Sequence, residues 1–225
     1  MKKGIILCGG EGTRLRPLTE TTNKHLLPVY DKQMVLYPLK TLQDMGITDI
    51  LIVTGGKYMG QFIDLLGSGS KYGCNFTYKV QDAAGGIAQA LLLAEDFVGD
   101  NQFAVILGDN VFEFAVTPPK EGCGLVTKFV DDPERFGVLT NGEIIEKPKM
   151  PASNEAVTGL YFYTPEIFEY IKTLKPSARG ELEITDVNNW CLKNLHTSVT
   201  QYFGFWSDAG NFESLMRTAN FASTK

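Results

Sequence analysis

Residues 4–19 read GIILCGGEGTRLRPLT, an apolar run that leads into a loop with three glycines and two arginines. The run Gly4–Leu7 predicts a short buried strand that ends at Gly9-Gly10. Glycines directly after a strand let backbone N–H groups approach and wrap an anion. Arg14 adds a planar guanidinium that suits phosphate oxygens. The loop therefore indicates a phosphate site, although a glycine turn with solvated arginines has the same local pattern.

Two standard phosphate-binding motifs are absent from this loop. The Walker pattern GxxxxGK[ST] does not occur in the chain. The dinucleotide fingerprint GxGxxG would begin at Gly10 and would need glycine where Leu15 stands. The loop therefore belongs to neither of these two motif classes.

The first half of the chain alternates strand-like and helix-like segments. Strands are predicted at Gly4–Leu7, Asp49–Thr54, Phe76–Val80 and Phe103–Leu107, and helices at Val35–Met45, Tyr58–Leu66 and Ile87–Phe97. This order indicates a parallel sheet covered by helices on both faces, a Rossmann-like three-layer α/β/α fold. Ligands of such sheets bind at the carboxyl ends of the strands.

The second half contains more strands in succession, so the central sheet is expected to be mixed and mostly parallel. Strands are predicted at Gly124–Val130, Gly137–Leu139, Glu143–Glu146, Thr158–Tyr163 and Ser198–Tyr202, and helices at Pro165–Leu174, Ile184–Leu195 and Asn211–Ala222. No linker or repeat interrupts the chain. We predict a single domain over 1–225, with a nucleotide-binding half at about 1–115 and a sugar-phosphate-binding half at about 116–225.

Composition and charge exclude several classes of protein. The chain has 225 residues and a net charge of −5, which disfavours broad binding to nucleic acid. Its four cysteines form no CxxC pair, and with two histidines a zinc site is not expected. Because no stretch reaches membrane-spanning length and no signal peptide is present, the expected location is the cytoplasm.

The strings GGEGTRLRPLT at 9–19 and NKHLLPVYDK at 23–32 resemble the sugar-1-phosphate nucleotidyltransferase family. Within it, they are closest to the glucose-1-phosphate thymidylyltransferases, and the resemblance extends over essentially the whole chain. It implies the nucleotide-diphospho-sugar transferase type of fold. It also implies an enzyme that joins a sugar 1-phosphate to dTTP and releases pyrophosphate, with Mg²⁺ as the metal.

The resemblance assigns the nucleotide to two segments of the first half. The loop residues expected at the nucleotide are Leu7, Gly9, Gly10, Gly12, Thr13 and Arg14, joined by Lys24. At the nucleobase, Gln81 can both donate and accept hydrogen bonds, and Gly86 permits close approach of a flat ring. The family usually has a proline and an acidic residue before the helix here, where this chain has alanine and glycine. That departure leaves open whether the chain prefers dTTP or UTP.

Two aspartates are expected to hold the metal. Asp109 follows an apolar strand, and Asp208 lies beside glycine near the C-terminal end. Magnesium takes few carboxylates and keeps substrate phosphate oxygens, so a pair from distant parts of the chain suits it. Either aspartate alone is more typical of a turn, and it is the resemblance that assigns them to Mg²⁺.

The sugar phosphate is expected to bind residues of the second half. One member of the predicted set, Asn110, directly follows the metal aspartate and belongs to the first half. The full set is Asn110, Gly137, Glu146, Lys147, Val157, Tyr161 and Arg179. Lys147 and Arg179 supply cations, and the resemblance matches these positions in order. Together with Arg14 and Lys24, Lys147 is predicted to act directly in catalysis.

Alternatives remain at this point. A sibling enzyme could use UTP or another nucleotide, and a non-catalytic sugar-nucleotide-binding regulatory subunit is a further class. The regulatory alternative is disfavoured because the chain has all of Arg14, Lys24, Asp109, Lys147, Arg179 and Asp208.

His25 stands where these enzymes commonly have glutamine. The chain resembles a short form that lacks the C-terminal helices of longer members, so a homo-oligomer is allowed but feedback regulation is in doubt.

Overall fold

The computed structural model describes residues 1–225. The strands are β1 (Lys3–Cys8), β2 (Pro28–Val29), β3 (Lys32–Gln33), β4 (Asp49–Gly55), β5 (Asn75–Gln81), β6 (Phe103–Leu107), β7 (Asn110–Phe112), β8 (Cys123–Phe129), β9 (Gly137–Thr140), β10 (Glu143–Glu146), β11 (Glu155–Tyr163), β12 (Thr197–Gln201) and β13 (Trp206–Asp208). The α-helices are α1 (Leu36–Asp44), α2 (Met59–Leu66), α3 (Ile87–Leu92), α4 (Glu95–Val98), α5 (Glu166–Ile171), α6 (Ile184–Asn194) and α7 (Phe212–Ala222).

Nine strands form one mixed sheet, whose main path runs in the order β10-β9-β11-β6-β1-β4-β5. Strands β6, β1, β4 and β5 are parallel to one another. Strand β11 pairs antiparallel with β6 and also with β8, which carries β12 on its other side. The carboxyl ends of the four parallel strands therefore open toward one edge of the sheet.

Both faces of the sheet are buried, and the alternation within single strands shows this. In β1, Ile5 and Leu7 belong to one apolar cluster, whereas Ile6 and Cys8 belong to the other. Helices α3, α5 and α6 contribute to the first cluster, and α1 and α2 to the second. Because successive strand side chains point to opposite faces, the result is three layers. The predicted α/β/α fold with a mixed, mostly parallel sheet is confirmed.

Some predicted elements are wrong in extent. The helix expected over Ile87–Phe97 is broken into α3 and α4, because the chain tightens where the Ala94 N–H donates to the Leu91 carbonyl at 2.9 Å. The helix expected over Pro165–Leu174 is only Glu166–Ile171. Strands β7 and β13 are absent from the sequence prediction, since three residues are too few for a periodicity to show.

None of the helices combines the length and the apolar character needed to cross a lipid bilayer. All four cysteines are free thiols. The proposed division of the chain near residue 115 stays a prediction.

Candidate active site

The glycine loop begins where β1 ends and turns back on itself through Gly12. Gly12 has a φ of +64°, and a Cβ there would lie 2.9 Å from the Thr19 side chain. The Thr19 hydroxyl donates to the Gly12 carbonyl at 2.7 Å, and Leu15 anchors the loop in the core. Glycine is therefore required at this position by both conformation and space. The anchored loop leaves Arg14 exposed, with no carboxylate close enough to form an ion pair.

A buried ion pair joins the loop region to the end of β6. The Lys24 ammonium lies 2.5 Å from Asp109 Oδ2, and both side chains are largely shielded from solvent. Burial would raise the pKa of Asp109, but the Lys24 ammonium beside it holds that pKa well below the usual range. Asn110 completes the arrangement by donating to Asp109 Oδ1 at 2.9 Å. Asp109 is therefore an anion held in a fixed position.

The second aspartate reaches the same place through the short ladder between β7 and β13. Asp208 pairs with Asn110 across this ladder, and the Ala209 N–H donates to the Asp109 carbonyl at 2.8 Å. A Cβ built on Gly210 would lie 3.5 Å from Asp109 Oδ2 and 3.5 Å from Asp208 Oδ2. The two carboxylates thus border one small space. Burial and the charge of Asp109 raise the pKa of Asp208 to about 6.

Such a pair of carboxylates has the chemistry of a divalent-cation site with open positions. No group of three acidic, histidine or cysteine side chains is arranged so that it could hold a metal ion, so a closed protein cage for a metal is absent. Magnesium is usually bound by one or two carboxylates and otherwise by substrate oxygens and water. Burial first, and then repulsion from Asp109, raises the pKa of Asp208, and a cation at the pair would stabilise its charged form. Asp109 and Asp208 therefore fit an ion that arrives with a phosphate ligand.

The predicted nucleobase pocket lies between the ends of β1 and β5. Gln81 is buried, and its amide nitrogen donates to the Gln89 side chain at 2.8 Å and to the Gly86 carbonyl at 3.3 Å. Its oxygen is directed at Gly9, where a Cβ would lie only 2.6 Å away. The pocket is lined by Leu7, Gly9, Gly10, Lys24, His25, Gln81, Ala84, Gly86, Ile87, Ala90, Leu107, Asp109 and Glu181.

A segment of the second half closes this pocket. The Leu182 N–H donates to the Gly85 carbonyl at 2.8 Å, and the Ala88 N–H donates back to the Leu182 carbonyl at 3.2 Å. Gly86 has a φ of +99°, and a Cβ there would lie 2.5 Å from the Leu182 oxygen. The glycine at 86 therefore serves a close backbone contact between the two halves of the chain.

All of the predicted sugar-phosphate residues except Arg179 line a neighbouring cleft that also reaches Arg14 and Lys24. Its lining consists of Arg14, Lys24, Ile87, Leu107, Asp109, Asn110, Arg135, Phe136, Gly137, Glu146, Lys147, Val157, Thr158, Gly159, Tyr161, Ile184, Thr185, Asn188, Trp206 and Asp208. Lys147 has a φ of +43°, which is rare outside glycine and is typical of functional positions. Arg14 and Lys147 thus face a common cleft.

Some predicted residues lie elsewhere or are used differently. Gly12 and Thr13 belong to the loop but line neither cleft. The Asn110 oxygen accepts from the Gly159 N–H at 2.9 Å and from the Trp206 indole at 2.8 Å, so this oxygen is fully engaged within the protein. Arg179 does not line the cleft directly. It contacts Glu183 at 2.5 Å and Glu146 at 3.2 Å.

Several side chains of the clefts are not among the predicted site residues. Glu181 lines the nucleobase pocket, and Thr185 donates to Glu146 at 2.5 Å. Arg135 contacts both oxygens of Asp208, at 2.8 and 2.7 Å. Its sequence context, Asp131-Asp132-Pro133-Glu134-Arg135, reads as a charged surface turn. No signal in the sequence connects it to Asp208.

Comparisons with known proteins cover nearly the whole chain. The nucleotidyl transferase family model matches residues 3–225. A glucose-1-phosphate thymidylyltransferase of Neisseria meningitidis is 45% identical over 99% of this chain and 83% of its own length. A solved structure from Bacillus anthracis, assigned as a glucose-1-phosphate thymidylyltransferase and containing sucrose, has 52% identity, a TM-score of 0.93 and coverage of 99% and 95% of the two chains. A UDP-glucose pyrophosphorylase with UDP-glucose has 25% identity, a TM-score of 0.84 and coverage of 100% and 99%.

Proposed function

The chain belongs to the nucleotidyl transferase family, and from that premise we propose that it transfers the dTMP group of dTTP to glucose 1-phosphate. The products are dTDP-glucose and pyrophosphate. Thymidylyltransferase relatives match over 99% of the chain at 45% identity, whereas the UDP-glucose pyrophosphorylase structure matches at 25% identity. This difference favours dTTP over UTP.

One observation carries the proposal: a single cleft gathers Arg14, Lys24 and Lys147 around the carboxylates of Asp109 and Asp208. Bringing a sugar phosphate against a triphosphate costs free energy because both are anions. Converging cations remove that repulsion at the place where the two ligands must meet. A protein that only sensed a sugar nucleotide would bind one diphosphate and would have no departing pyrophosphate, so it would not need cations for two separate phosphate ligands or the acidic pair.

The reaction follows from this arrangement of charges. A phosphate oxygen of glucose 1-phosphate attacks the α-phosphorus of dTTP, and a new P–O bond forms. The bond between the α-phosphorus and the oxygen that bridges to the β-phosphate breaks, and its electron pair leaves with pyrophosphate. The attacking phosphate is largely dianionic near neutral pH because its second pKa is about 6. No general base is therefore needed, and catalysis is positioning and charge neutralisation.

Each cation has a distinct role in the proposed reaction. Arg14 extends from the glycine loop and offsets charge on the departing pyrophosphate, with Lys24 beside it. Lys147 holds the attacking phosphate from the opposite side of the cleft. Arg179 reaches the same phosphate only after it exchanges contacts with Glu146 and Glu183. The hydroxyl groups of glucose donate hydrogen bonds to Glu146, while Val157 and Tyr161 form the apolar wall.

The proposed metal is Mg²⁺, and Asp109 and Asp208 are the residues that would hold it. When bound, the ion would supply positive charge to the phosphate oxygens at which negative charge develops. The two aspartates border one space, as the distances to Gly210 indicate. Lys24 and Arg135 neutralise them in the structure as it stands.

The proposed recognition of the base rests on Gln81. Its amide nitrogen is used inside the protein, so its oxygen is the group that is left for a ligand. A free acceptor suits the N3–H of thymine or uracil, while cytosine presents an acceptor at N3 and would leave both groups unpaired. Gln81 therefore favours dTTP and UTP over CTP.

A panel of nucleotides and sugar phosphates tests the function. Purified protein with Mg²⁺ is given dTTP, UTP, CTP or GTP with glucose 1-phosphate, and dTTP with galactose 1-phosphate or mannose 1-phosphate, while pyrophosphate release is recorded. We expect the highest kcat/KM for dTTP with glucose 1-phosphate. A higher kcat/KM for UTP would replace the proposal by the sibling activity, and no release with any pair would favour a non-catalytic subunit.

We further propose a cytoplasmic location and small phosphorylated ligands rather than nucleic acid. Assembly into a homo-oligomer is also proposed, and sedimentation of the purified chain measures it.

A further inference from the structure

Arg135 lies at the end of a short 3-10 turn, Pro133–Arg135, and one residue separates it from β9. Its Nη2 atom lies 2.8 Å from Asp208 Oδ1 and 2.7 Å from Asp208 Oδ2, while Nη1 lies 2.6 Å from Asp132 Oδ2. Only 21% of the Arg135 side chain and 15% of the Asp208 side chain is exposed. Shielded, charge-assisted hydrogen bonds of this kind are among the stronger polar contacts in proteins.

These contacts use both oxygens of a carboxylate that the proposed function assigns to the metal. A metal ion that binds either oxygen of Asp208 must therefore displace or share a contact of Arg135. It must also come close to a guanidinium, which is always protonated and repels it. Arg135 thus opposes metal binding unless another anion enters the site together with the ion.

A nucleoside triphosphate is such an anion, and Arg14 lies beside the acidic pair to receive it. A Cβ at Gly210 would lie 3.2 Å from Arg14 Nη2, close to the oxygens of Asp109 and Asp208. The phosphate charges would compensate both the metal and the displaced guanidinium. Asp132 keeps its own contact with Arg135, so the side chain need not leave the cleft.

We propose that Arg135 is a positioning residue that occupies Asp208 in place of the metal and makes metal binding depend on the bound nucleotide. This inference rests on the proposed function, because it takes Asp109 and Asp208 as the metal ligands. It also gives a reason why a guanidinium lies against a carboxylate that is proposed to bind the metal. The free protein does not hold a divalent ion tightly, and the ion binds together with the triphosphate.

Coupling of this kind is reciprocal, so it can be measured from either ligand. Removing Arg135 removes a cation that competes for Asp208. The affinity of the nucleotide-free protein for a divalent ion should then rise. The affinity of the nucleotide complex should change less, since the phosphates already offset the guanidinium. The factor by which nucleotide strengthens metal binding becomes smaller.

The experiment is a titration of the full chain with Mn²⁺, followed by electron paramagnetic resonance of the free ion. It is done without nucleotide and with the non-reacting α,β-methylene analogue of dTTP. Arg135→Gln should lower the Kd for Mn²⁺ about tenfold without nucleotide, the scale of one hydrogen bond to a charged group. With the analogue present, the change should be about twofold or less. Arg135→Lys, which keeps the charge, should show a smaller decrease without nucleotide.

Two further variants distinguish a wrong metal site from a wrong role for Arg135. Arg217→Gln is the control, because Arg217 lies near β13 and contacts only the Ser207 hydroxyl, at 3.4 Å. It should bind Mn²⁺ like the wild type. Asp208→Asn should lose most Mn²⁺ binding. If it does not, the metal site of the proposed function is wrong, and the role proposed for Arg135 is wrong as well.

The remaining outcomes concern Arg135 alone. An unchanged or higher Kd for Mn²⁺ in Arg135→Gln, with the expected loss in Asp208→Asn, would overturn the inference and leave the metal site standing. A purely structural role would lower the melting temperature of Arg135→Gln without tightening Mn²⁺ binding. If Arg135→Gln does not fold, Arg135→Lys decides, because a Kd equal to or above that of the wild type contradicts the competition.

Discussion

Two loops each carry an arginine, and they differ in how the positive charge of that arginine is held. Arg14, on the glycine loop, is exposed and forms no ion pair. Arg179, on the segment before α6, is within 4 Å of Glu146, Glu181 and Glu183. Both were predicted to bind phosphate. The first loop is ready for an anion, whereas the second must exchange carboxylate partners for phosphate.

The difference has an energetic consequence. A phosphate that binds Arg14 gains contacts that replace only water, while one that binds Arg179 replaces contacts that the protein already has. Arg179 donates two hydrogen bonds to Glu183, whose side chain is only 12% exposed, so the exchange costs more than the roughly 0–1 kcal/mol of an isolated surface ion pair. We therefore expect Arg14 to matter for turnover and Arg179 mainly for sugar-phosphate affinity.

The largest expected effect is on turnover, and it comes from changing the acidic pair that the cations of both loops are proposed to serve. Asp109→Asn should lower metal-dependent turnover on the order of a thousandfold, because one electrostatic group contributes up to that much. Steady-state kinetics over a range of Mg²⁺ measure it, with circular dichroism to confirm the fold. Asp44→Asn is the control, since Asp44 pairs only with the exposed Lys40. Unchanged metal dependence in Asp109→Asn would remove Asp109 as a ligand.

The next prediction concerns the unpaired arginine. Arg14→Ala should lower kcat about a hundredfold, since its contact with the leaving pyrophosphate strengthens as charge develops. Arg16→Ala serves as the matched control, because Arg16 lies on the same loop but is directed to Glu11 at 3.6 Å. It should keep near-normal kcat. Near-normal turnover in Arg14→Ala would exclude this arginine from the mechanism and remove one side of the comparison.

A smaller effect is expected at the paired arginine. Arg179→Ala should raise the KM for glucose 1-phosphate about tenfold and leave kcat within about threefold, because the lost contact is one of ground-state binding. The KM for dTTP should not change, and Arg217→Ala should leave all constants as in the wild type. If kcat fell as far as in Arg14→Ala, Arg179 would contribute to turnover as Arg14 does. The difference in ion pairing between the two arginines would then not predict their roles.

The smallest effect concerns the buried histidine of the nucleotide side. His25 is in contact with the Asn23 side chain at 2.7 Å, and burial, with the nearby Lys24 charge, lowers its pKa to about 3. The unfolded chain takes up a proton near pH 6.5 and the folded one does not. Stability from this group is therefore complete above pH 6.5 and lost as pH falls toward 3, by at most about 1.4 kcal/mol per pH unit.

His25→Gln should flatten this loss. Urea unfolding of the two proteins at pH 7.5, 6.5 and 5.5 measures it, and groups that titrate in both proteins cancel in the difference. His196→Gln is the control, since His196 is the other histidine and is exposed. Equal slopes for wild type and His25→Gln would mean that the imidazole takes up its proton in the folded chain as readily as in the unfolded chain, and the nucleotide pocket would be wetter than the structure indicates.

The sequence predicted the fold well where elements are long. Strands β1, β4 and β6 were placed within a few residues because their apolar runs are continuous, as burial on both faces requires. It failed where elements are short or depend on distant contacts, as in β7 and β13. That ladder is the one that brings Asp208 to Asp109.

The candidate site divides in the same way. The glycines, Arg14, Lys24 and Gln81 follow strand ends or lie in one continuous motif, so local pattern and resemblance together pointed to them. Glu181 and Arg135 did not stand out, because a carboxylate or a guanidinium in a charged turn is typical of any surface. Their roles depend on what the folded chain places opposite them.

The amino-acid sequence by itself determined the alternating strands and helices, the glycine loop, and the identities of the charged side chains that a phosphate reaction needs. Only the tertiary structure decided which charges are paired. Arg135 and Asp208 are 73 positions apart, and Lys24 and Asp109 are 85 apart. Local periodicity carries no information on such contacts, since their distances are set by how the strand ends and the short ladders meet at one edge of the sheet.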